Sequence, residues 1–210
     1  MFLSRVEIAW GSAKNPYNLH RAIWKLFPDT EREARTTIEE LRQGFLFRLE
    51  RCEPGQPATV LVQSRREPQR STDHAMVLVS REFKPRPSKG QSLAFTVVAN
   101  PVRTITNKNG RLTRKGEPKK CRVPLIKDEQ QIQWLHERLK GIAAVEAVSV
   151  RKLPPIFFYK QKEKRDGKII SVLFEGCLRV DNPDGLVTML ENGIGPAKAF
   201  GCGLMLVRRI

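Results

Sequence analysis

Asn182-Pro183-Asp184 opens a stretch that runs into Gly193-Ile194-Gly195-Pro196-Ala197-Lys198-Ala199-Phe200-Gly201-Cys202-Gly203-Leu204-Met205. Proline suits a first helical turn and glycine suits a helix end, so a helix is expected from 182 to about Asn192-Gly193. Leu204 to Val207 then reads as a closing strand. Between them lie two Gly-x-Gly pairs. Glycine tolerates positive φ and lets other groups approach the backbone closely. The spacing matches neither a P-loop nor a dinucleotide-binding turn, because Lys198 stands where the third glycine of the latter belongs. Two uses of the loop remain open. One is a seat for a nucleic-acid backbone, offered by Gly193, Gly195, Lys198, Gly201 and Gly203. The other is a tight helix-to-strand connection.

Upstream, Ile156–Lys160 and residues 168–180 read as two strands of a hairpin turning at Arg165-Asp166-Gly167, since Asp-Gly favours hairpin turns. Asp128 is expected to cap a helix through Lys140, with Ile132, Leu135 and Leu139 on its apolar face. Leu93–Ala99 is a strand. Lys84-Pro85-Arg86-Pro87-Ser88-Lys89-Gly90 has the composition of a linker. Before it, residues 2–10 read as a strand. Asn15-Pro16 opens a helix to about Phe27, and Pro28 stops it. Residues 30–43 are charged and helical in pattern. Residues 45–50 and 59–63 form a strand pair, and 75–80 a further short strand. Strands interleaved with helices in both halves predict an α+β chain of two tandem ferredoxin-like βαββαβ domains, residues 1–88 and 89–210.

Charge narrows the partner. Lys and Arg total 38 against 22 acidic residues, a formal charge of +16. A chain this basic favours a polyanion, with nucleic acid ahead of a membrane surface. No apolar run of about 18 residues predicts a transmembrane helix. The N-terminus lacks the apolar stretch of a signal peptide, so a cytoplasmic protein is expected. The four cysteines, Cys52, Cys121, Cys177 and Cys202, are too dispersed for a zinc motif, and neither metal nor other cofactor is expected. The basic residues cluster twice. Residues 103–122 hold Arg103, Lys108, Arg111, Arg114, Lys115, Lys119, Lys120 and Arg122 against Glu117 alone. Residues 151–168 hold Arg151, Lys152, Lys160, Lys162, Lys164, Arg165 and Lys168. Such runs are either solvated faces or phosphate contacts.

Of the three histidines, His74 and His136 are expected at the surface. His20 lies three residues after Tyr17, on one face of the first helix. Arg21 and Lys25 add positive charge, with Lys25 off that face. RNA scission without a metal needs a proton taken from the 2′-hydroxyl, charge stabilised on the phosphate, and a proton given to the 5′-oxygen. Histidine suits the proton transfers, tyrosine can donate or orient through its hydroxyl, and a cation can stabilise the phosphorane. The competing reading is a Tyr and His that simply pack against a sheet. Clustered carboxylates for two-metal chemistry and a Gly-x-Ser-x-Gly elbow are both absent.

Six blocks, taken in order, resemble one family: Met1-Phe2-Leu3-Ser4-Arg5-Val6, Tyr17-x-x-His20, Ala99-Asn100-Pro101-Val102-Arg103-Thr104, Lys120-Cys121-Arg122-Val123-Pro124-Leu125, Phe174-Glu175-Gly176 and the Gly193–Met205 loop. Together they are similar to the CasE type of CRISPR repeat-processing endoribonuclease within the wider Cas6 family. The resemblance implies tandem ferredoxin-like domains and metal-independent cleavage of CRISPR precursor RNA at the base of the repeat stem-loop. It implies a 5′-hydroxyl product, a 2′,3′-cyclic phosphate product, retention of the processed RNA, and assembly with other subunits of Cascade. Tyr17 and His20 match its catalytic pair, and Lys25 a basic position that varies among members. The 160–168 hairpin matches one that engages the RNA stem, with Glu163 interrupting the basic run. The rival is a non-catalytic RNA-binding module on the same scaffold.

Overall fold

The computed structural model describes residues 1–28, 44–106, 116–118, 120–160 and 165–210, with the backbone alone at Lys160 and Arg165. The helical pattern read at 30–43 lies outside the described residues.

Two antiparallel sheets carry the α+β fold, and each has the strand order of a ferredoxin-like domain. In the first half β1 (Phe2–Ile8) leads through α1 (Trp10–Ala13) and α2 (Pro16–Trp24) to β2 (Phe45–Arg51), β3 (Ala58–Ser64), the two-residue β4 (Ser71–Thr72) and β5 (Ala75–Glu82). The sheet order is β2-β3-β1-β5-β4. Alternation in β1 sends Val6 and Ile8 under α2, where they meet Leu19, Ala22, Ile23 and Leu26. The helix starts where Asn15 caps it: its Oδ1 accepts from the Tyr17 amide at 2.9 Å. Between β3 and β5 no second crossover helix forms. Arg65-Arg66-Glu67-Pro68-Gln69 has no apolar stripe to bury, and Pro68 lacks an amide hydrogen, so short β4 takes that place.

The second half is a complete ferredoxin-like unit with two hairpins inserted. Its elements are β6 (Ser92–Ala99), the hairpin β7 (Val102–Thr106) with β8 (Lys120–Pro124), α3 (Asp128–Leu139), β9 (Ala143–Lys152), the hairpin β10 (Ile156–Lys160) with β11 (Arg165–Ile169), β12 (Val172–Val180), α4 (Pro183–Asn192), a 3-10 turn (Lys198–Phe200) and β13 (Met205–Arg209). The sheet order is β13-β6-β12-β9. Leu135, Leu139, Leu186 and Leu190 of the helices close over Val97, Phe174 and Leu178. No described helix is long and apolar enough to cross a membrane.

Three sequence expectations change here. Residues 168–180 are not one strand: β11 ends at Ile169 and β12 begins at Val172, so the hairpin stands outside the main sheet. Asp166-Gly167 is not its turn. Asp166 pairs with Tyr159 and Gly167 with Phe158, inside the ladder. Asp128 is the first residue of α3 rather than its cap. It pairs with Lys152 at 3.2 Å and lends negative charge to the helix start. Strand β9 escaped reading because its alternation breaks: Cys177 faces Ala147 but Leu178 faces Val145, which leaves Glu146 bulged out.

The two sheets meet through Leu46 and Leu61 of the first half and Leu204 of the second, flanked by Leu3 and Leu206. Each such leucine contributes about 1.5–3 kcal/mol by leaving water. The buried Gln63 Nε2 also donates to the Leu190 carbonyl at 2.7 Å.

A candidate RNA-processing site

Tyr17 and His20 sit one turn apart on α2, at a place where four elements converge. Tyr17 is 40% exposed. Its ring stands edge-on to Phe158 of β10 at 5.7 Å and to Phe200 of the 3-10 turn at 5.5 Å. Phe158 and Phe200 themselves lie 4.7 Å apart. His20 is half-buried against Phe45 at 5.1 Å, Trp24 at 6.1 Å and Phe47 at 6.2 Å. Burial among these rings pushes the imidazole below its ordinary pKa, because the charged form loses its hydration. The neutral ring, ready to accept a proton, is therefore the form favoured near pH 7. Both side chains thus edge a seam formed by the α2 surface, strand β2 and the glycine loop.

Lys25 lies at the opposite end of α2 from Tyr17. It ends the helix, is exposed, and has its carbonyl held by Gln69 Nε2 at 2.8 Å. Arg21 is exposed beside His20. His74 and His136 are exposed, as read from the sequence.

The glycine loop does the work of a tight connection. All four glycines have positive φ, between 70° and 95°. A Cβ on Gly193 would meet Leu46, one on Gly195 would meet Trp134, one on Gly201 would crowd Phe47, and one on Gly203 would strike the Ile194 carbonyl. The close approach the glycines permit is made by protein, and Gly201 and Gly203 are buried. Lys198 Nζ donates to the Asn192 carbonyl and is half-buried, which lowers its pKa. What the loop brings to the site is Phe200. No motif pointed to it, since an aromatic between glycines reads as ordinary core. Phe158, Phe45 and Phe47 were missed for the same reason.

Most of the described basic residues expected to contact RNA lie on the two inserted hairpins. Arg103 is exposed on β7, and Lys120 and Arg122 are exposed on the facing β8. Lys168 on β11 is exposed, with its ammonium 5.4 Å from the centre of the Phe157 ring. Arg111, Arg114, Lys115, Lys119, Lys162 and Lys164, with the side chains of Lys160 and Arg165, lie outside the described residues.

A family model described as CRISPR associated protein matches residues 1–209. This chain belongs to that family. The Escherichia coli (strain K12) CRISPR system Cascade subunit CasE is 38% identical over 205 residues, 98% of each chain. The crystal structure of the CRISPR-associated protein Cas6e from Escherichia coli K-12 superposes with a TM-score of 0.83 at 36% identity and covers 100% of both chains. A structure of the CRISPR endoribonuclease Cse3 bound to a 19-nt RNA reaches a TM-score of 0.73 at 29% identity, over 99% of this chain and 100% of that one. Like Cas6e, this CRISPR-associated protein has two ferredoxin-like domains.

Proposed function

We propose that this chain is a metal-independent endoribonuclease that cuts CRISPR precursor RNA at the base of the repeat stem-loop, keeps the product bound and serves as a Cascade subunit in the cytoplasm. One observation carries the catalytic part: a desolvated histidine and an exposed tyrosine share a helix face at the seam of the two halves. In the reaction, neutral His20 takes the proton of the 2′-hydroxyl. That oxygen bonds to phosphorus, the bond from phosphorus to the 5′-oxygen breaks, and the leaving 5′-oxygen takes up a proton from water. The products are a 2′,3′-cyclic phosphate and a 5′-hydroxyl. Tyr17 donates its hydroxyl hydrogen toward the reacting phosphate, and Arg21 and Lys25 add positive potential around it. RNA binding to a Cse3 structure and the Cascade name of a 38%-identical relative support the substrate and partner.

The same reading divides the chain into residues 1–88 and 89–210. The large core clusters support it: one holds residues between 6 and 75, the other residues from 93 on. Arg103, Lys120, Arg122, Lys160, Lys162, Lys164, Arg165 and Lys168 are its phosphate ligands, joined by Arg111, Arg114, Lys115 and Lys119. A-form RNA has a deep, narrow major groove whose phosphates are easier to reach than its bases. Changing Lys160, Lys162, Lys164 and Arg165 together to alanine is expected to weaken stem-loop binding and to flatten the dependence of log affinity on log salt. Titrations across a salt series check this. An unchanged slope moves the stem contact to the β7–β8 hairpin.

Cleavage in excess EDTA with end-mapping of the products tests the reaction, and its pH profile tests the role of His20. At low RNA concentration the rate reports the free enzyme. A base whose pKa is lowered by burial gives a rate that rises with pH, with a midpoint below 6.5, and stays level above it. A rate that falls through this range would make His20 the acid instead.

A further inference from the structure

The β10–β11 hairpin reaches the Tyr17 end of α2 through Phe158. On β10 the residues alternate: Phe157 and Tyr159 are 65% and 52% exposed, whereas Phe158 turns inward to Tyr17 and Phe200. Opposite Phe158 on β11 stands Gly167. A Cβ at Gly167 would fall within the Phe158 ring, so the ring lies across the glycine. That seat explains why an Asp-Gly pair occurs in the middle of a ladder. Any larger residue at 167 would push the ring off its place.

Resting on the catalytic reading of Tyr17, we infer that Phe158, seated on Gly167, is a positioning residue that ties the hairpin to Tyr17. Tyr17 is exposed and has its ring braced on two sides, by Phe158 and by Phe200. Phe200 is fixed by the glycine loop and by its neighbour Gly201 against Phe47. Phe158 is the brace that belongs to the hairpin. When the hairpin settles on an RNA stem, its inner face carries that placement to the tyrosine. Rate in such sites is sensitive to placement, since a displacement of about 1 Å can cost on the order of 10²-fold.

Phe158→Ala is expected to slow single-turnover cleavage of the repeat stem-loop transcript by about 10- to 100-fold, with affinity changed less than about threefold. Phe158→Leu recovers part of the rate, and Gly167→Ala, which keeps the phenylalanine but displaces its ring, loses rate as well. In a Tyr17→Phe background, Phe158→Ala adds little further loss, because both changes act through one group. The chain has two tyrosines, so fluorotyrosine labelling of a Tyr159→Phe variant leaves the Tyr17 resonance alone. That resonance moves on addition of the transcript, and Phe158→Ala abolishes the movement. A slow Tyr17→Phe enzyme combined with near-normal cleavage by Phe158→Ala overturns the positioning role alone. So does an equal loss from Phe158→Ala in both backgrounds, or a resonance that Phe158→Ala leaves unchanged. Wild-type cleavage by Tyr17→Phe overturns the catalytic reading, and the positioning role falls with it.

Discussion

Replacing His20 with alanine is expected to slow single-turnover cleavage of the repeat stem-loop by about 10²-fold or more, the scale of one lost general acid or base. Affinity for the RNA should stay within a small factor. His20 is half-buried among Trp24, Phe45 and Phe47, and the phosphate contacts assigned to the hairpins lie elsewhere. Stability enters the control. Alanine removes a ring from an aromatic group, so folding is checked by thermal melting at the assay pH. The wild-type histidine favours its neutral form when folded, so what it contributes is present above pH 6.5 and is lost as pH falls through its lowered pKa. The comparison therefore belongs at neutral pH. Near-normal cleavage by a folded alanine variant removes His20 from the mechanism.

A substrate with a 2′-deoxy sugar immediately upstream of the scissile phosphate should bind like all-RNA and remain uncut, with or without Mg²⁺. The change removes one oxygen and leaves every phosphate in place, so the electrostatic part of binding is untouched. It also removes the nucleophile, so no slower version of the same path remains. Denaturing gels over long incubations read the outcome. Any product from that substrate means that water attacked, and the internal-transfer mechanism fails.

Much of the architecture was legible because the core follows simple periods. Val6 and Ile8 alternate with outward residues, Leu135 and Leu139 repeat at helical spacing, and Asn15-Pro16 and Asn182-Pro183 mark helix starts that the structure keeps. The errors came where one residue was shaped by a distant one. Gly167 signalled a turn because nothing in its neighbours reveals a ring lying across it from β10. Strand β9 was missed because the bulge at Glu146 shifts its inward residues by one. Tyr17 and His20 were found as residue types at a helical spacing. Their surroundings were not, since Phe158 and Phe200 are far along the chain and carry no chemical label. The glycine loop was legible as a stretch shaped by its backbone, but the side chains its glycines make room for, Leu46, Phe47 and Trp134, lie far along the chain and were not.

The site draws its parts from both ends of the chain, and this bears on synthesis. Tyr17 and His20 leave the ribosome early and fold against β1 and β2. Phe200, one of the two braces on Tyr17, is made long after it, and so are Leu204 and Leu206, which bring the halves together. Domains form as units in the order they emerge. A nascent chain that ends before the glycine loop holds Tyr17 and His20 on a completed first sheet but lacks Phe200, which packs on the tyrosine. On the proposed mechanism, a chain interrupted before residue 200 is expected to cut poorly, because one brace on Tyr17 is missing.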